Sequence, residues 1–423
     1  MKFLEQLAAR RRFGMKPGLS TIRAVCRALG DPQESFKAIH VAGTNGKGAV
    51  VALLDAALRE GGLKVGRYTS PHLVKLNERF FLDGSPVDDL KLDLISSNVE
   101  KAVSSSGDAG EGMTFFEALT AVAFSLYAES KVDVAVLETG LGGRLDATNI
   151  CNPALTIITR IGLDHCDWLG DTVEKIALEK AGIIKPGVPV VLGENLPEVR
   201  EIVENRAKEL NSPFYYAPDM VLEFDIPGDF SLLGSFNREN ALTAMAALKV
   251  MRERSLFNIS RSENLIAGFS KVVWPGRFQK VGNVIVDGAH NPPAARALVK
   301  ALSELPEKKY ILIAGFCADK DVDETLSILA PFVSKAYAIK TNNPRSLEPE
   351  TLAIKMKALG IDAEVSSTLT EAFHLANVDS SSSNEPSALV CGSLFLAGEA
   401  LVALNAYPWS KPRFDLSESL NKL

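Results

Sequence analysis

A glycine-rich loop is the first feature of the sequence that could do chemistry. It joins an apolar, strand-like run to a segment of good helix formers, and it consists of Gly43, Thr44, Asn45, Gly46, Lys47, Gly48 and Ala49. Its glycines allow backbone N–H groups to face an anion, and the start of the following helix adds partial positive charge. Lys47 could then reach the outer phosphates of a nucleotide. The loop is shorter than the usual phosphate loop and no hydroxyl follows Lys47, so a glycine-rich turn with a solvated lysine is the alternative.

Three polar residues follow other strand-like runs and could hold a metal ion. Ser70 comes after Lys64–Tyr68, Glu138 after Val132–Leu137 and His165 after Leu155–Thr159. In open parallel sheets ligands gather at the carboxyl ends of strands, so we expect these side chains to meet beside the nucleotide. Oxygen ligands suit Mg²⁺, while the histidine indicates a second metal site or tolerance of Mn²⁺. The alternatives are a turn formed by Ser70 before Pro71 and a purely structural histidine.

The elements that position these residues alternate along the chain. Short apolar, β-branched runs are separated by segments of helical period, such as Phe115–Ala128 and Val173–Ala181, which indicates βαβ units on a mainly parallel sheet. Lys180 lies near the end of the second segment, and on this pattern alone it is a solvated lysine favoured by the helix dipole. A fresh strand–loop–helix series starts at Val284, beyond Trp274–Arg277. We therefore predict two α/β domains, residues 1–275 and 276–423.

The composition excludes several classes of protein. The 423 residues include 46 basic and 52 acidic side chains, for a net charge of −6, whereas nucleic-acid-binding proteins usually carry a basic excess. No segment has the pattern of a signal peptide or is apolar enough to span a membrane. The five cysteines are scattered and form no Cys-x-x-Cys pair, which indicates reduced thiols. We expect a cytoplasmic, monomeric enzyme that acts on small molecules, without nucleic-acid or membrane partners.

Several long motifs, in order along nearly the whole chain, resemble one known family. They are Ala42–Gly48, Thr69–Leu73, Glu138–Asn149 (ETGLGGRLDATN), Ile161–Gly170 (IGLDHCDWLG), Glu179–Pro186 (EKAGIIKP), Trp274–Phe278 (WPGRF), Asp287–Pro292 (DGAHNP) and Gly392–Glu399 (GSLFLAGE). In these motifs the sequence is similar to the folylpolyglutamate synthase/dihydrofolate synthase family of the Mur ligase superfamily. The resemblance implies an N-terminal P-loop ATPase domain with a mainly parallel sheet and a C-terminal Rossmann-like α/β domain for glutamate ligation. ATP and the substrates would lie in the cleft between them.

The resemblance also assigns roles to single residues. The ATP phosphates would be contacted by Lys47, Arg277 and His290, and the nucleotide site would be completed by the loop with Asn240 and Asp287. Mg²⁺ would be held by Ser70, Glu138 and His165. Lys180 would carry a carbamate, formed with CO₂, that supports a second metal ion. The predicted catalytic residues are thus Lys47, His165, Lys180 and Arg277. The folate or pterin substrate is expected near Gly14–Leu19, which includes Gly18 and Leu19, and near Pro71, His72 and the following Lys75–Arg79.

The activity that the resemblance implies is ATP-dependent formation of an amide bond. L-Glutamate would be added to the carboxylate of dihydropteroate or tetrahydrofolate through an acyl phosphate, with release of ADP and phosphate. Whether the chain catalyses both reactions is open at this point. The alternatives are another Mur-type ligase, acting on a cell-wall nucleotide peptide, and a nucleotide-gated binding protein without ligase chemistry. Ala49 departs from the family, which usually has Ser or Thr there, and we expect retained activity with fewer hydroxyl contacts.

Overall fold

Two sheets organise the part of the chain that the computed structural model describes, which is residues 2–9, 18–222, 225–260, 262–307, 309–382 and 386–409. The first sheet contains β1 (Lys37–Ala42), β2 (Val65–Tyr68), β3 (Phe80–Leu82), β4 (Ser85–Pro86), β5 (Val134–Glu138), β6 (Pro153–Ile158), β7 (Val190–Leu192) and β8 (Phe214–Tyr216). Their order across the sheet is β4-β3-β2-β5-β1-β6-β7-β8. Neighbours from β2 to β8 run parallel, whereas β3 and β4 add an antiparallel edge.

Helices cover both faces of this sheet. They are α1 (Lys2–Ala9), α2 (Ser20–Ala28), α3 (Lys47–Glu60), α4 (Asp89–Ser105), α5 (Phe115–Glu129), α6 (Cys166–Leu169), α7 (Val173–Ala181), α8 (Pro197–Glu209) and α9 (Ser235–Glu253). Ile39 of β1 and Val136 of β5 belong to the core cluster shared with α3 and α9, while Ala38 and Leu137 belong to the cluster shared with α2, α4 and α5. Because successive strand residues face opposite sides, burial of both faces explains the continuous apolar runs.

The second sheet is smaller and also mainly parallel. Its strands are β9 (Gln279–Val281), β10 (Val284–Val286), β11 (Tyr310–Ala314), β12 (Val333–Ala338), β13 (Asp362–Val365) and β14 (Ala388–Cys391), in the order β13-β12-β11-β14-β10-β9. Only β9 pairs antiparallel with its neighbour among these strands. The helices of this part are α10 (Pro292–Ser303), α11 (Val322–Leu329), α12 (Pro349–Ala358), α13 (Leu369–Leu375) and α14 (Leu394–Ala403).

The architecture confirms the predicted fold class, an α/β protein with two mainly parallel sheets. The strands of the two sheets occupy residues 37–216 and 279–391, with the 3₁₀ segment Ser262–Lys271 between them. The predicted division between residues 275 and 276 falls in this connection, and the boundary itself stays a prediction. Among the described helices, none combines the length and the apolar character needed to cross a bilayer.

Candidate active site

The predicted phosphate loop lies at the carboxyl end of β1, and α3 begins at its lysine, Lys47. Gly46 adopts a left-handed backbone conformation with a φ of 84°. A Cβ atom at this position would overlap the side-chain oxygen of Asn240, which extends from α9. The N–H groups in the first turn of α3 have no helical partner, because no helical carbonyl precedes them at the required spacing. The loop therefore presents N–H donors and the positive end of a helix, which together suit an anion.

The connection between β6 and α6 holds the loop in this shape. Thr159 donates its hydroxyl to the carbonyl of Asn45 at 2.7 Å, and Thr44 donates its hydroxyl to the carbonyl of Gly162 at 3.0 Å. The carbonyl of Arg160 accepts from the N–H groups of Thr44 and Asn45. The N–H groups at the start of the loop thus serve the fold, and those at the start of α3 are left for a ligand.

Glu138 faces the loop from the neighbouring strand. It ends β5, is only 4% exposed, and its Oε2 accepts a hydrogen bond from the N–H of Ser70 at 3.0 Å. Its Oε1 lies 3.9 Å from the ammonium of Lys47. Burial raises the pKa of Glu138, although the charge of Lys47 and the bond from Ser70 oppose the rise. A buried carboxylate with so distant a cationic partner is costly, so the site favours the approach of a further cation.

Lys180 is buried against the same loop. Its ammonium donates to the carbonyl of Gly43 at 2.8 Å, and the residue is 4% exposed. Burial, together with the charge of Lys47, lowers the pKa of Lys180 to about 7. This position excludes the alternative of a solvated lysine on the helix surface. A lysine that is partly neutral near pH 7 is a nucleophile as well as a donor.

His165 lies at the edge of this group. It immediately precedes α6 and has a left-handed backbone (φ 53°), and 45% of its side chain is exposed. Partial burial lowers the pKa of His165, and Lys320 and Lys47 act in the same direction against the opposing charge of Asp164. The imidazole is therefore neutral near pH 7, the form that binds metal ions. Within the described residues, no hydrogen bond or ion pair joins its side chain to Ser70 or Glu138.

The predicted metal ligands are thus brought together only in part. Ser70, Glu138 and Lys180 surround the phosphate loop, whereas His165 stands apart from them in its contacts. The described part of the chain contains no group of three or more His, Cys, Asp or Glu side chains arranged to hold a metal ion. A metal here would depend on a hydroxyl and on a modified lysine in addition to Glu138 and His165. The ligand set stays a prediction.

Asp164 ties this region to the second sheet, and sequence reasoning missed it. Its Oδ2 accepts from the side-chain amide of Asn291 at 2.8 Å, and its Oδ1 lies 3.6 Å from the ammonium of Lys320. Burial raises the pKa of Asp164, but Lys320, His165 and His290 outweigh this, so the pKa lies below its usual value. Asn291 also caps α10 through its side-chain oxygen. The carboxylate of Asp164, the residue before His165, is therefore hydrogen-bonded to the residue that caps the start of α10.

The partly buried Arg277 and the buried Asp287 act on each other electrostatically at the start of the second sheet. Asp287 follows β10, and its two oxygens accept from the N–H groups of Phe278 at 2.7 Å and Ala289 at 2.8 Å. Arg277 donates to the carbonyl of Gly276 at 3.0 Å. Burial lowers the pKa of Arg277, and its charge lowers the pKa of both Asp287 and Glu138, against the effect of their burial. Arg277 is therefore close enough to act on the first sheet's glutamate.

His290 is partly buried and uncharged. Burial and the charge of Lys320 lower its pKa to about 4, so the imidazole is neutral near pH 7. Its Nδ1 lies 2.8 Å from the carbonyl of Gly288. A carbonyl can only accept, so Nδ1 carries the proton and Nε2 is an acceptor. This tautomer suits a nucleotide hydroxyl better than the phosphates to which the resemblance assigned His290.

Trp274 is a second residue that sequence reasoning left without a role. A Cβ atom on Gly48 would overlap its indole ring, so Gly48 is required by this packing. The guanidinium groups of Arg67 and Arg277 both lie 5.9 Å from the ring centre. Ala49 is only 4% exposed, so the position where the family usually has a hydroxyl is packed inside the protein. No pattern in the sequence alone connects position 274 to the loop.

The residues expected to bind the folate or pterin substrate lie in two places. Gly18 and Leu19 immediately precede α2, and Leu19 packs against the core cluster of α2, α4 and α5. The preceding residues 14–17 lie outside the described part of the chain. Pro71 and His72 follow β2, and His72 accepts a hydrogen bond at its Nδ1 from Arg79 at 2.9 Å. The substrate-binding role of these four residues stays a prediction.

Comparisons with known proteins agree with this geometry. The family model described as Mur ligase, glutamate ligase domain matches residues 276–394. A dihydrofolate synthase/folylpolyglutamate synthase of Bacillus subtilis is 37% identical over 319 residues, covering 70% of this chain and 74% of the relative. The Escherichia coli protein of the same name is 34% identical over 405 residues, covering 92% of each chain.

A solved structure gives the same result. It is that of a bifunctional folylpolyglutamate synthase/dihydrofolate synthase with Mn, AMPPNP and L-glutamate bound. It superposes with a TM-score of 0.79 at 32% identity, covering 93% of this chain and 95% of the other. Sequence and structure therefore agree over both sheets: the chain belongs to the folylpolyglutamate synthase/dihydrofolate synthase family of the Mur ligase superfamily.

Proposed function

We propose that this protein is an ATP-dependent ligase that adds L-glutamate to the carboxylate of dihydropteroate, of tetrahydrofolate or of both. The observation that carries the proposal is the buried group around the phosphate loop. There Lys47, Glu138 and Lys180 converge, and Arg277 reaches them from the second sheet. A nucleotide-gated binding protein needs the loop and a carboxylate for Mg²⁺, but it has no use for a half-neutral buried lysine beside them.

The reaction requires that a stable carboxylate be activated. An oxygen of the acceptor carboxylate attacks the γ-phosphorus of ATP, the bond to the β-phosphate oxygen breaks, and ADP leaves. The amine of L-glutamate then attacks the acyl carbon, loses a proton, and expels phosphate to leave the amide. Charge builds on the phosphate oxygens in the first step, where Lys47 and Arg277 can neutralise it. The N–H groups at the start of α3 would orient the phosphates.

The residues present fit a divalent cation. Glu138 is a buried carboxylate whose nearest ammonium is 3.9 Å away, and Ser70 adds a hydroxyl beside it. Oxygen ligands of this kind suit Mg²⁺, and the neutral imidazole of His165 would allow Mn²⁺ to bind as well. When bound, Mg²⁺ would neutralise phosphate charge. The relative crystallised with Mn, AMPPNP and L-glutamate supports such a site, and we propose two ions.

Lys180 would carry the carbamate that completes the second ion's ligands. Its neutral amine attacks the carbon of CO₂ and loses a proton, which replaces a cation by an anion. The pKa of about 7 makes the amine available near neutral pH. Lys47, whose charge lowers that pKa, would stabilise the carbamate by attraction. Conversion of this lysine to an anion thus relieves a repulsion between the ammonium groups of Lys180 and Lys47.

The remaining assignments follow from position. Asn240 adjoins Gly46 of the loop, and Asp287 and His290 lie at the end of β10, so these three would contact the nucleotide. Gly18, Leu19, Pro71 and His72 would bind the pterin-bearing substrate. We further propose that the protein is a monomer and that it is cytoplasmic; the five free cysteine thiols, four of them buried, support the reducing compartment.

The test is an assay of ADP release with purified protein. Reactions contain ATP and Mg²⁺ with L-glutamate and either dihydropteroate or tetrahydrofolate, and controls omit one component at a time. We expect ADP only when an acceptor and glutamate are both present, together with a product heavier by one glutamyl residue. ATP hydrolysis that needs neither glutamate nor a pterin would contradict the ligase. The two acceptors, compared side by side, decide between one activity and both.

A further inference from the structure

The loop between β2 and β3 is ordered by one carboxylate. Glu78, which is 7% exposed, accepts hydrogen bonds from the N–H groups of Leu73 at 2.7 Å, Val74 at 2.8 Å and Lys75 at 2.6 Å. Hydrogen bonds to an ionised acceptor are stronger than those between neutral groups. The carboxylate therefore holds three successive amides in one orientation. We call residues 73–78 the acceptor loop, because the pterin-bearing acceptor substrate is expected beside them.

The fourth donor to this carboxylate comes from the other end of the chain. The hydroxyl of Tyr407 donates to Oε1 of Glu78 at 2.7 Å, across 329 residues of sequence. Burial and the nearby Glu78 charge raise the pKa of Tyr407, so the hydroxyl keeps its proton and acts as the donor. Tyr407 follows α14, which packs on the second sheet. A hydrogen bond thus joins the acceptor loop of the first sheet to the segment that follows α14 on the second sheet.

Apolar contacts of Leu73 and Trp409 also join the acceptor loop and its neighbouring strand to the second sheet. Leu73 packs against the core cluster of the second sheet, which contains Leu396 and Leu401 of α14. The ring of Trp409 contacts the ring of Tyr407 at 5.5 Å and that of Phe81 in β3 at 5.3 Å, in both cases edge to face. Edge-to-face pairs of this kind restrict ring orientation. The ring contact with Trp409 therefore helps to hold Tyr407 where its hydroxyl donates to Glu78.

The loop is also connected to the metal-binding region. The hydroxyl of Thr69 donates to the carbonyl of Glu78 at 3.2 Å, and Thr69 precedes Ser70, whose N–H donates to Glu138. Hydrogen bonds, together with the peptide link from Thr69 to Ser70, thus connect Tyr407 through the acceptor loop to Glu138 beside the phosphate loop. We propose that Tyr407 is a positioning residue that holds the acceptor loop in the conformation that receives the pterin-bearing substrate. The substrate in this statement rests on the proposed function.

The test compares Tyr407→Phe with a matched control. Tyr215→Phe removes a hydroxyl that accepts a bond of the same length, 2.7 Å from Arg254, on β8 at the far edge of the first sheet. Hydrogen–deuterium exchange is followed at the amides of residues 73–75, and steady-state kinetics are measured with ATP, glutamate and the acceptor. In Tyr407→Phe we expect about tenfold faster exchange at these amides, as loss of one such hydrogen bond implies.

The kinetics distinguish positioning from general stability. We expect the KM for the acceptor to rise about tenfold in Tyr407→Phe, while the KM for ATP and the thermal midpoint stay near those of the wild type. Tyr215→Phe should change neither the exchange at residues 73–75 nor the acceptor KM. Unchanged exchange in Tyr407→Phe would show that Tyr407 does not hold the acceptor loop. Faster exchange with an unchanged acceptor KM would show that holding the loop does not position the substrate. If the wild type shows no acceptor-dependent turnover, the proposed function fails, whereas exchange alone still decides whether Tyr407 holds the loop.

Discussion

Lys180 provides the sharpest quantitative prediction, because its burial changes how much of its amine can react with CO₂. A lysine with the ordinary pKa of 10.5 is neutral in roughly one molecule in 3,000 at pH 7, whereas a pKa of about 7 leaves about half neutral. The reactive form is thus enriched roughly a thousandfold. We predict that Lys180 becomes carbamylated at ordinary CO₂ concentrations and that turnover depends on this modification.

The assay uses ¹³C-labelled bicarbonate and NMR. The wild type should show a protein-bound carbamate signal, and its turnover should fall in CO₂-depleted buffer and recover when bicarbonate is restored. Lys180→Met should show neither the signal nor turnover. Lys185→Met is the matched control, because Lys185 belongs to the same motif but donates to the carbonyl of Asn149 and not to the phosphate loop. It should retain the carbamate signal.

Chemical rescue adds a second arm to this prediction. Lys180→Ala removes the side chain beside the carbonyl of Gly43 and leaves space for a small carboxylate. Formate, acetate or propionate should therefore restore part of the lost turnover by supplying the missing anion. The reasoning is refuted if turnover is indifferent to CO₂, no bound ¹³C signal appears, and Lys180→Ala keeps full activity without added acids.

Three further predictions concern the same region. Lys47→Ala should lower turnover at least a hundredfold with a folded circular-dichroism spectrum, because its ammonium serves only a 3.9 Å pair and one loop carbonyl in the structure described; near-normal turnover would remove the loop from the mechanism. Lys180 has a folded pKa below its unfolded value, so its unfavourable effect on stability is full below pH 7 and disappears as the pH rises toward 10.5. In CO₂-free buffer, the stability gained by Lys180→Met should thus be roughly 4 kcal/mol larger at pH 6 than at pH 10 in urea denaturation, and an equal gain at both would contradict the burial effect. Lys320→Met should raise the pKa of both His165 and His290 in an NMR titration, since its charge lowers both; no movement would place Lys320 elsewhere in solution.

The sequence was sufficient for the features that depend on local pattern. The runs of β1 and β5 predict buried parallel strands because successive residues are apolar, and both faces of the sheet are indeed covered. Glu138 could be placed at a strand end because it directly follows an apolar run. A functional role could be inferred for it because an unpaired buried carboxylate is costly. Gly46 could be placed in a loop, where its positive φ now explains the residue type.

The remaining features depend on contacts between distant residues. The segment around Lys180 has the pattern of an exposed helix end, but the fold buries this lysine, and its ammonium donates to the carbonyl of Gly43, 137 residues earlier in the sequence. The tie from Asp164 to Lys320 and the bond from Tyr407 to Glu78 join opposite parts of the chain in the same way. Such pairs leave no periodic signal, since each partner is one ordinary polar residue in its own segment.

The contact between Gly48 and Trp274 restricts the routes by which this loop can change during evolution. While a tryptophan occupies position 274, any side chain at position 48 meets its ring, so only glycine fits. A hydroxyl residue directly after Lys47, as in the usual phosphate loop, therefore requires that position 274 become smaller first. In the reverse order, the new Cβ atom at position 48 and the ring of Trp274 overlap unless one of them shifts. The two positions, 226 residues apart by the numbering, are thus coupled by one steric contact.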